Sequence, residues 1–139
     1  MKKLSILLGT LLMMVVASCN NTSKKDPLIY NPKSLKESVW TVADSVATPE
    51  QLAMKKKLEQ ARIDCIQVKD NRLVLAVGKD YFTKNGIPEI YYDFFIESVK
   101  ETNDGFDKWE KDGMKLNVDS LFQSAKKEYL ELKKQAEKK

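Results

Sequence analysis

Ile63–Gly78, IDCIQVKDNRLVLAVG, is where the chain changes its apolar period from the 3.6 residues of a helix to the two of a strand. The alternation folds back around Asp70-Asn71, residue types that tolerate the left-handed backbone of a two-residue hairpin turn. Pairing Lys69 with Arg72 sets the register. Ile66 and Val68 then share a face with Leu73, Leu75 and Val77, and Cys65 lies with Val74 and Ala76 on the other. A two-stranded hairpin alone is marginal in water, so helices must cover its apolar face. The expected fold class is therefore α+β, mostly helical, with about four helices packed around one β-hairpin.

Working upstream, Thr48-Pro49-Glu50-Gln51 reads as a helix start: a capping threonine, proline at the first helical position, and glutamine three residues after the cap. The helix should reach about Arg62 and bury Leu52, Met54, Leu58 and Ala61. Before it, Ser34-Leu35-Lys36-Glu37 has capping-box spacing, and Leu35, Val39, Val42 and Val46 follow at helical intervals. That predicts a helix from Ser34 to about Ala47. A short strand over Val39-Trp40-Thr41-Val42 is the alternative, because β-branched and aromatic residues favour one.

Downstream, Asn85-Gly86 is a stop signal, and IPEIYYDFFIESVKET, residues 87–102, begins another helix. Its apolar residues, from Ile87 and Ile90 to Val99, spread over roughly 240° of the circumference, against about 100° for an ordinary surface helix. This helix should be central. Glu89, Asp93, Glu97, Lys100 and Glu101 crowd the remainder, and Tyr92 and Ile96, at the far edge of the apolar arc, are the candidate partner surface. Asn103-Asp104-Gly105 is expected to end the helix, with a turn carrying Phe106 and Trp109 leading through Asp112-Gly113 to a last helix at Val118–Ala136. Val118, Leu121, Phe122, Ala125, Tyr129 and Leu132 mark the expected buried stripe of that last helix.

The chain's first residues have another purpose. Lys2 and Lys3 give a positive start, Leu4–Val16 a mostly apolar run, and Ala17-Ser18 a small-residue pair that a signal peptidase accepts. Spanning a bilayer as a helix takes roughly 20 apolar residues, so this run, closed by Cys19 and Asn20, is too short for a permanent span. Val16-Ala17-Ser18-Cys19 resembles the lipobox of bacterial lipoproteins. The resemblance implies cleavage between Ser18 and Cys19, a diacylglycerol thioether on Cys19, an acylated new amino terminus, and the membrane as a partner through that lipid anchor. Several acyl chains, at about 0.8 kcal/mol per buried methylene, hold stably where one does not. Asn20 occupies the position where an aspartate marks inner-membrane retention in this family, so the implied address is the cell outer membrane, facing the periplasm. Surface exposure stays open as an alternative, with Asp26 the one acid in the segment that follows Cys19.

The expected organisation is a signal peptide over 1–18, a tether over 19–33, and one small domain over 34–139. The tether is polar and carries Pro27 and Pro32; as a flexible chain its fourteen residues after Cys19 would reach about 20 Å root-mean-square. Removing residues 1–18 from 139 leaves 121, enough for one domain. The formal charge of +4 falls to about +2 without Lys2 and Lys3, which gives no reason to invoke nucleic acid. Lys55-Lys56-Lys57 reads as the solvated face of a helix.

Histidine is absent from the whole chain, and Cys65 is the one thiol beside Cys19. Ser/His and Cys/His nucleophile pairs, His-rich zinc sites and the usual neutral-pH acid/base are thereby removed. Asp104, Asp107, Glu110 and Asp112 lack the spacing of a calcium loop, and nothing singles out two of the 20 acids as a glycosidase pair. No catalytic residue, metal or cofactor is expected. Cys65 reads as structural, on a strand beside Asp64. The function expected is a lipid-anchored envelope protein that serves as a binding or accessory module docking a protein partner; the alternative is a small envelope hydrolase-type enzyme using carboxylates without histidine.

Overall fold

The computed structural model describes residues 25–139; the signal peptide, Ser18 and Cys19 lie outside the described residues. In chain order the elements are α1 (Pro27–Tyr30), two single 3-10 turns (Leu35–Glu37 and Val39–Thr41), α2 (Pro49–Cys65), β1 (Ile66–Lys69), β2 (Arg72–Leu75), α3 (Lys79–Lys84), α4 (Ile90–Lys111) and α5 (Val118–Ala136). The fold is mostly helical α+β, with helices gathered around one antiparallel hairpin.

The hairpin has the register expected from its alternation, Lys69 opposite Arg72 and Ile66 opposite Leu75. Asp70 and Asn71 take φ of 50° and 57°, the left-handed pair that a two-residue turn demands. α2 begins with a full capping box: the Thr48 hydroxyl accepts from the Gln51 N–H at 3.2 Å, and the Gln51 side chain accepts from the Thr48 N–H at 2.9 Å. It runs past Arg62 to Cys65, so Cys65 closes a helix rather than sitting in a strand.

Three expectations fail for physical reasons. Residues 34–47 form neither a continuous helix nor a strand. Ser34 does cap, accepting from the Glu37 N–H at 3.2 Å, but Ser38 repeats the device on the Trp40 N–H and donates to the Leu35 carbonyl at 2.7 Å. Such local side-chain bonds compete with the helical ladder. The segment is therefore cut into two turns, and Val46, placed on the apolar stripe, is 75% exposed.

The tether expected to reach Lys33 also ends early. Asp26 caps α1 through the Leu28 N–H and accepts a bond from the buried Gln51 amide at 2.8 Å. Ile29 is 0% exposed and belongs to the core, and the Tyr91 hydroxyl donates to the Leu28 carbonyl at 3.0 Å. The folded body starts at Asp26, not Ser34.

The third correction concerns Asn103-Asp104-Gly105, which does not end α4; the helix continues to Lys111 and carries Phe106 and Trp109 with it. Asn103 is there for a partner 30 residues away. Its amide accepts from the Leu73 N–H at 2.9 Å and donates to the Leu73 carbonyl at 2.9 Å. Those two groups point away from β1, so a single asparagine satisfies both backbone groups of Leu73 on the open edge of the sheet. Helix α3 was not anticipated. It supplies Phe82, fully buried, whose ring meets Phe95 edge-on at 5.2 Å and Tyr92 at 5.8 Å.

The molecule has two ends. At one, α1 meets the start of α2, through Asp26–Gln51 and Tyr30–Glu50, and the start of α4, through Leu28–Tyr91. At the other, Arg72 bonds Asp107 and Glu110 of α4 at 2.6 and 2.5 Å, while the Asn71 side chain accepts from the Val118 N–H at 2.8 Å and donates to the Leu116 carbonyl at 3.1 Å. At 1.5 Å per residue, Tyr91 to Lys111 separates these ends by about 30 Å.

Candidate functional site

Trp40 and Arg62 stand between two adjoining grooves. One, about 130 Å³, is lined by Leu35, Ile66, Phe95 and Ser98 as well; the other, about 190 Å³, by Ile63, Phe122, Ala125 and Tyr129, with Glu59 and Lys126 at its rim. Trp40 is presented by the second 3-10 turn, whose backbone Ser38 holds. Glu59, Arg62 and Ile63 lie three and four residues apart on α2 and so share a face. Phe122, Ala125 and Tyr129 do the same on α5.

Two polar contacts set the distance between those helices. The Tyr129 hydroxyl donates to Glu59 at 3.3 Å, and Lys133 donates to Gln60 at 3.0 Å. Burial, with the Glu59 carboxylate beside it, holds the Tyr129 hydroxyl above its ordinary pKa, so it remains a donor at neutral pH. These contacts prop α5 against α2 without closing the space below. Of the stripe expected to be buried on α5, Val118 is buried, Phe122 and Tyr129 are half-buried, and Leu121, Ala125 and Leu132 are exposed.

The Arg62 guanidinium takes part in no ion pair among the described residues. Glu59 is occupied by Tyr129. The rim thus offers Arg62 and Lys126 as cations over an aromatic and aliphatic floor. Such a site can seat an apolar side chain and pair an adjacent carboxylate. Glu59 is the one acid lining these two grooves, and a carboxylate pair for acid/base cleavage needs two.

The residues singled out from sequence fall elsewhere. Tyr92 is half-buried, edge-on to Phe82, with the Lys79 ammonium 5.7 Å from its ring centroid. Ile96 is 45% exposed. At about 100° per residue, Ile96 points well away from the Phe95 and Ser98 flank that lines the first groove, so the structure does not bring it to Trp40. Within the acidic group, Asp107 and Glu110 bind Arg72, Asp104 pairs with Lys100 at 2.7 Å, and Asp112 caps the end of α4. Cys65 is fully buried, its thiol pushed up by burial first and by Asp64 next, against the pull of a hydrogen bond with Tyr81. Sequence reasoning missed Trp40 and Arg62, which lie 22 residues apart and share no motif; an unpaired arginine and a tryptophan outside the core are visible only in the fold.

Compared with protein-family models, curated proteins and solved structures, the chain matches none. The reading of the site rests on its own geometry. Among the described residues no helix is long and apolar enough to cross a membrane.

Proposed function

We propose that this chain is a lipid-anchored protein of the cell envelope, held by Cys19 in the outer membrane and facing the periplasm, whose folded domain docks a protein partner and catalyses nothing. The observation that carries the docking reading is Arg62, unpaired among the described residues, standing with Trp40 between two apolar grooves. Tryptophan and arginine dominate binding energy where they sit at the centre of an interface. A groove of about 190 Å³ suits one anchoring side chain of a partner rather than a whole small molecule. The lipobox Val16-Ala17-Ser18-Cys19 supports the anchor and the address.

The test is a photo-crosslinking amino acid placed at position 126, on the groove rim, in intact cells, with the same probe at Met114 as a control. A single adduct of defined mass from position 126, absent from position 114 and lost with Arg62→Glu, is the expected result. Equal adducts from both positions, or one that survives Arg62→Glu, would overturn the docking reading. A mass spectrum of the mature amino terminus with an unmodified Cys19 would overturn the anchor.

A further inference from the structure

We infer that the α1 end of the domain rests on the lipid surface itself, so that the protein touches the membrane through folded residues as well as through its acyl chains. The inference rests on the lipid-anchored reading of Cys19. Its first support is the length of chain between anchor and fold. Among the described residues Asp26 is the first with side-chain bonds to a distant element, and seven peptide steps from Cys19, at about 3.5 Å each when fully extended, cannot exceed about 25 Å. The α1 end is therefore kept within about 25 Å of the anchored sulfur, whereas the hairpin end can lie a further helix length away.

What α1 presents there suits a headgroup layer. An open groove of about 470 Å³ runs along Pro27, Leu28, Pro32 and Val42, with Lys33 at its edge. Leu28 is 38% exposed, and so is Tyr30, an amphipathic ring of the kind that sits at membrane interfaces. The Lys25 ammonium lies 5.4 Å from the centroid of that ring.

Lys25, Lys33 and Lys36 are exposed and make no ion pair among the described residues, and Lys24 precedes them in sequence. Asp26, Glu37 and Glu50 lie at this end too, and the hydrogen bonds that Asp26 and Glu50 accept come from neutral donors and leave their charges in place, so the charges here are mixed. Long lysine side chains around exposed Leu28 and Tyr30 can reach lipid phosphates while the apolar groups enter the headgroup layer.

The test uses the full lipidated protein in vesicles of phosphatidylethanolamine and phosphatidylglycerol, with no other protein present. Spin labels are attached to Leu28→Cys, Lys33→Cys and, at the far end, Met114→Cys, where the native methionine is 54% exposed. Cys65 is fully buried and does not compete for the reagent. Collision of the labels at 28 and 33 with a water-soluble nickel chelate should be at least tenfold rarer than at 114. Equal collision rates at all three positions overturn the inference while leaving the anchor intact. Protection at 28 and 33 that persists in a Cys19→Ala chain without vesicles belongs to the fold and overturns it too. If the amino-terminal mass shows no lipid on Cys19, the anchor fails and this inference with it.

Discussion

Ile29→Ala tests where the folded body begins. Ile29 lies in a helix of four residues, inside a stretch that is otherwise polar, and yet it is 0% exposed. Truncating a fully buried isoleucine to alanine costs 2–5 kcal/mol, depending on how far the surroundings collapse into the space. A chain end relaxes more easily than a central helix, so about 3 kcal/mol is expected here. Residues 25–139 number 115, and at about 2.1 cal/mol/K per residue the unfolding entropy is about 0.24 kcal/mol/K, so Tm should fall by about 12 °C. Urea and thermal denaturation followed by circular dichroism read both numbers. Leu28→Ala, one residue away but partly exposed, should cost well under half as much. A chain that starts at Ser34 should lose more than Ile29→Ala does, because the Asp26–Gln51 bond and the acceptor of the Tyr91 hydroxyl go with it; a chain that starts at Lys25 should match the parent. If Ile29→Ala falls within about 0.5 kcal/mol of the parent, α1 is not docked and the reasoning is wrong.

Gly105→Ala should stabilise by about 1 kcal/mol, raising Tm by about 4 °C, because Gly105 lies inside α4 and a Cβ there meets nothing within 4 Å. A lowered Tm would mean that α4 is broken there. Burial pushes the Tyr91 and Tyr81 hydroxyls up to about 12, Tyr91 against the pull of Ser38 and the Val39 backbone and Tyr81 with the help of Cys65. Between pH 10 and 12 the folded state therefore binds more protons than the unfolded one. The contribution of each tyrosine is fully present below pH 10 and is lost as pH rises toward 12, by at most about 1.4 kcal/mol per pH unit. Denaturant midpoints should be flat below pH 10 and fall above it, less steeply in Tyr91→Phe; an unchanged slope would count against the burial. The Cys65 thiol should react with iodoacetamide far more slowly in the native protein than in urea, and Cys65→Ala should cost about 1 kcal/mol with partner binding intact; labelling at the unfolded rate would show an open thiol.

What could be read from the sequence was whatever local chemistry alone determines. Asp70-Asn71 fixed the hairpin turn because left-handed residues have few other uses, and Thr48-Pro49-Glu50-Gln51 fixed the start of α2 because both halves of its capping box lie within four residues. Residues that answer to distant partners were misread. Asn103 has a helix-breaking type and a sheet-edge role, and Leu73, which gives it that role, is 30 residues away. Ser38 followed a promising cap and undid it. Pro27–Tyr30 has the composition of a linker, and it is the distant partners Glu50, Gln51 and Tyr91 that dock it and put Ile29 in the core. The apolar stripe on α5 was drawn correctly as a stripe, but periodicity does not say whether a face is covered, and Tyr129 and Lys133 prop most of it open.

The same arrangement bears on how a partner reaches the groove. α2 and α4 both start at the α1 end, so with α1 on the lipid both helices lead away from that contact. Arg62 lies 11 residues beyond Gln51, or about 17 Å along α2, which puts the Trp40–Arg62 groove on the flank of the domain, short of the hairpin turn. An interface on the flank is met sideways. On the proposed anchoring, a partner held in the same membrane would approach it without reorienting the domain, whereas one arriving from solution would meet the hairpin end first.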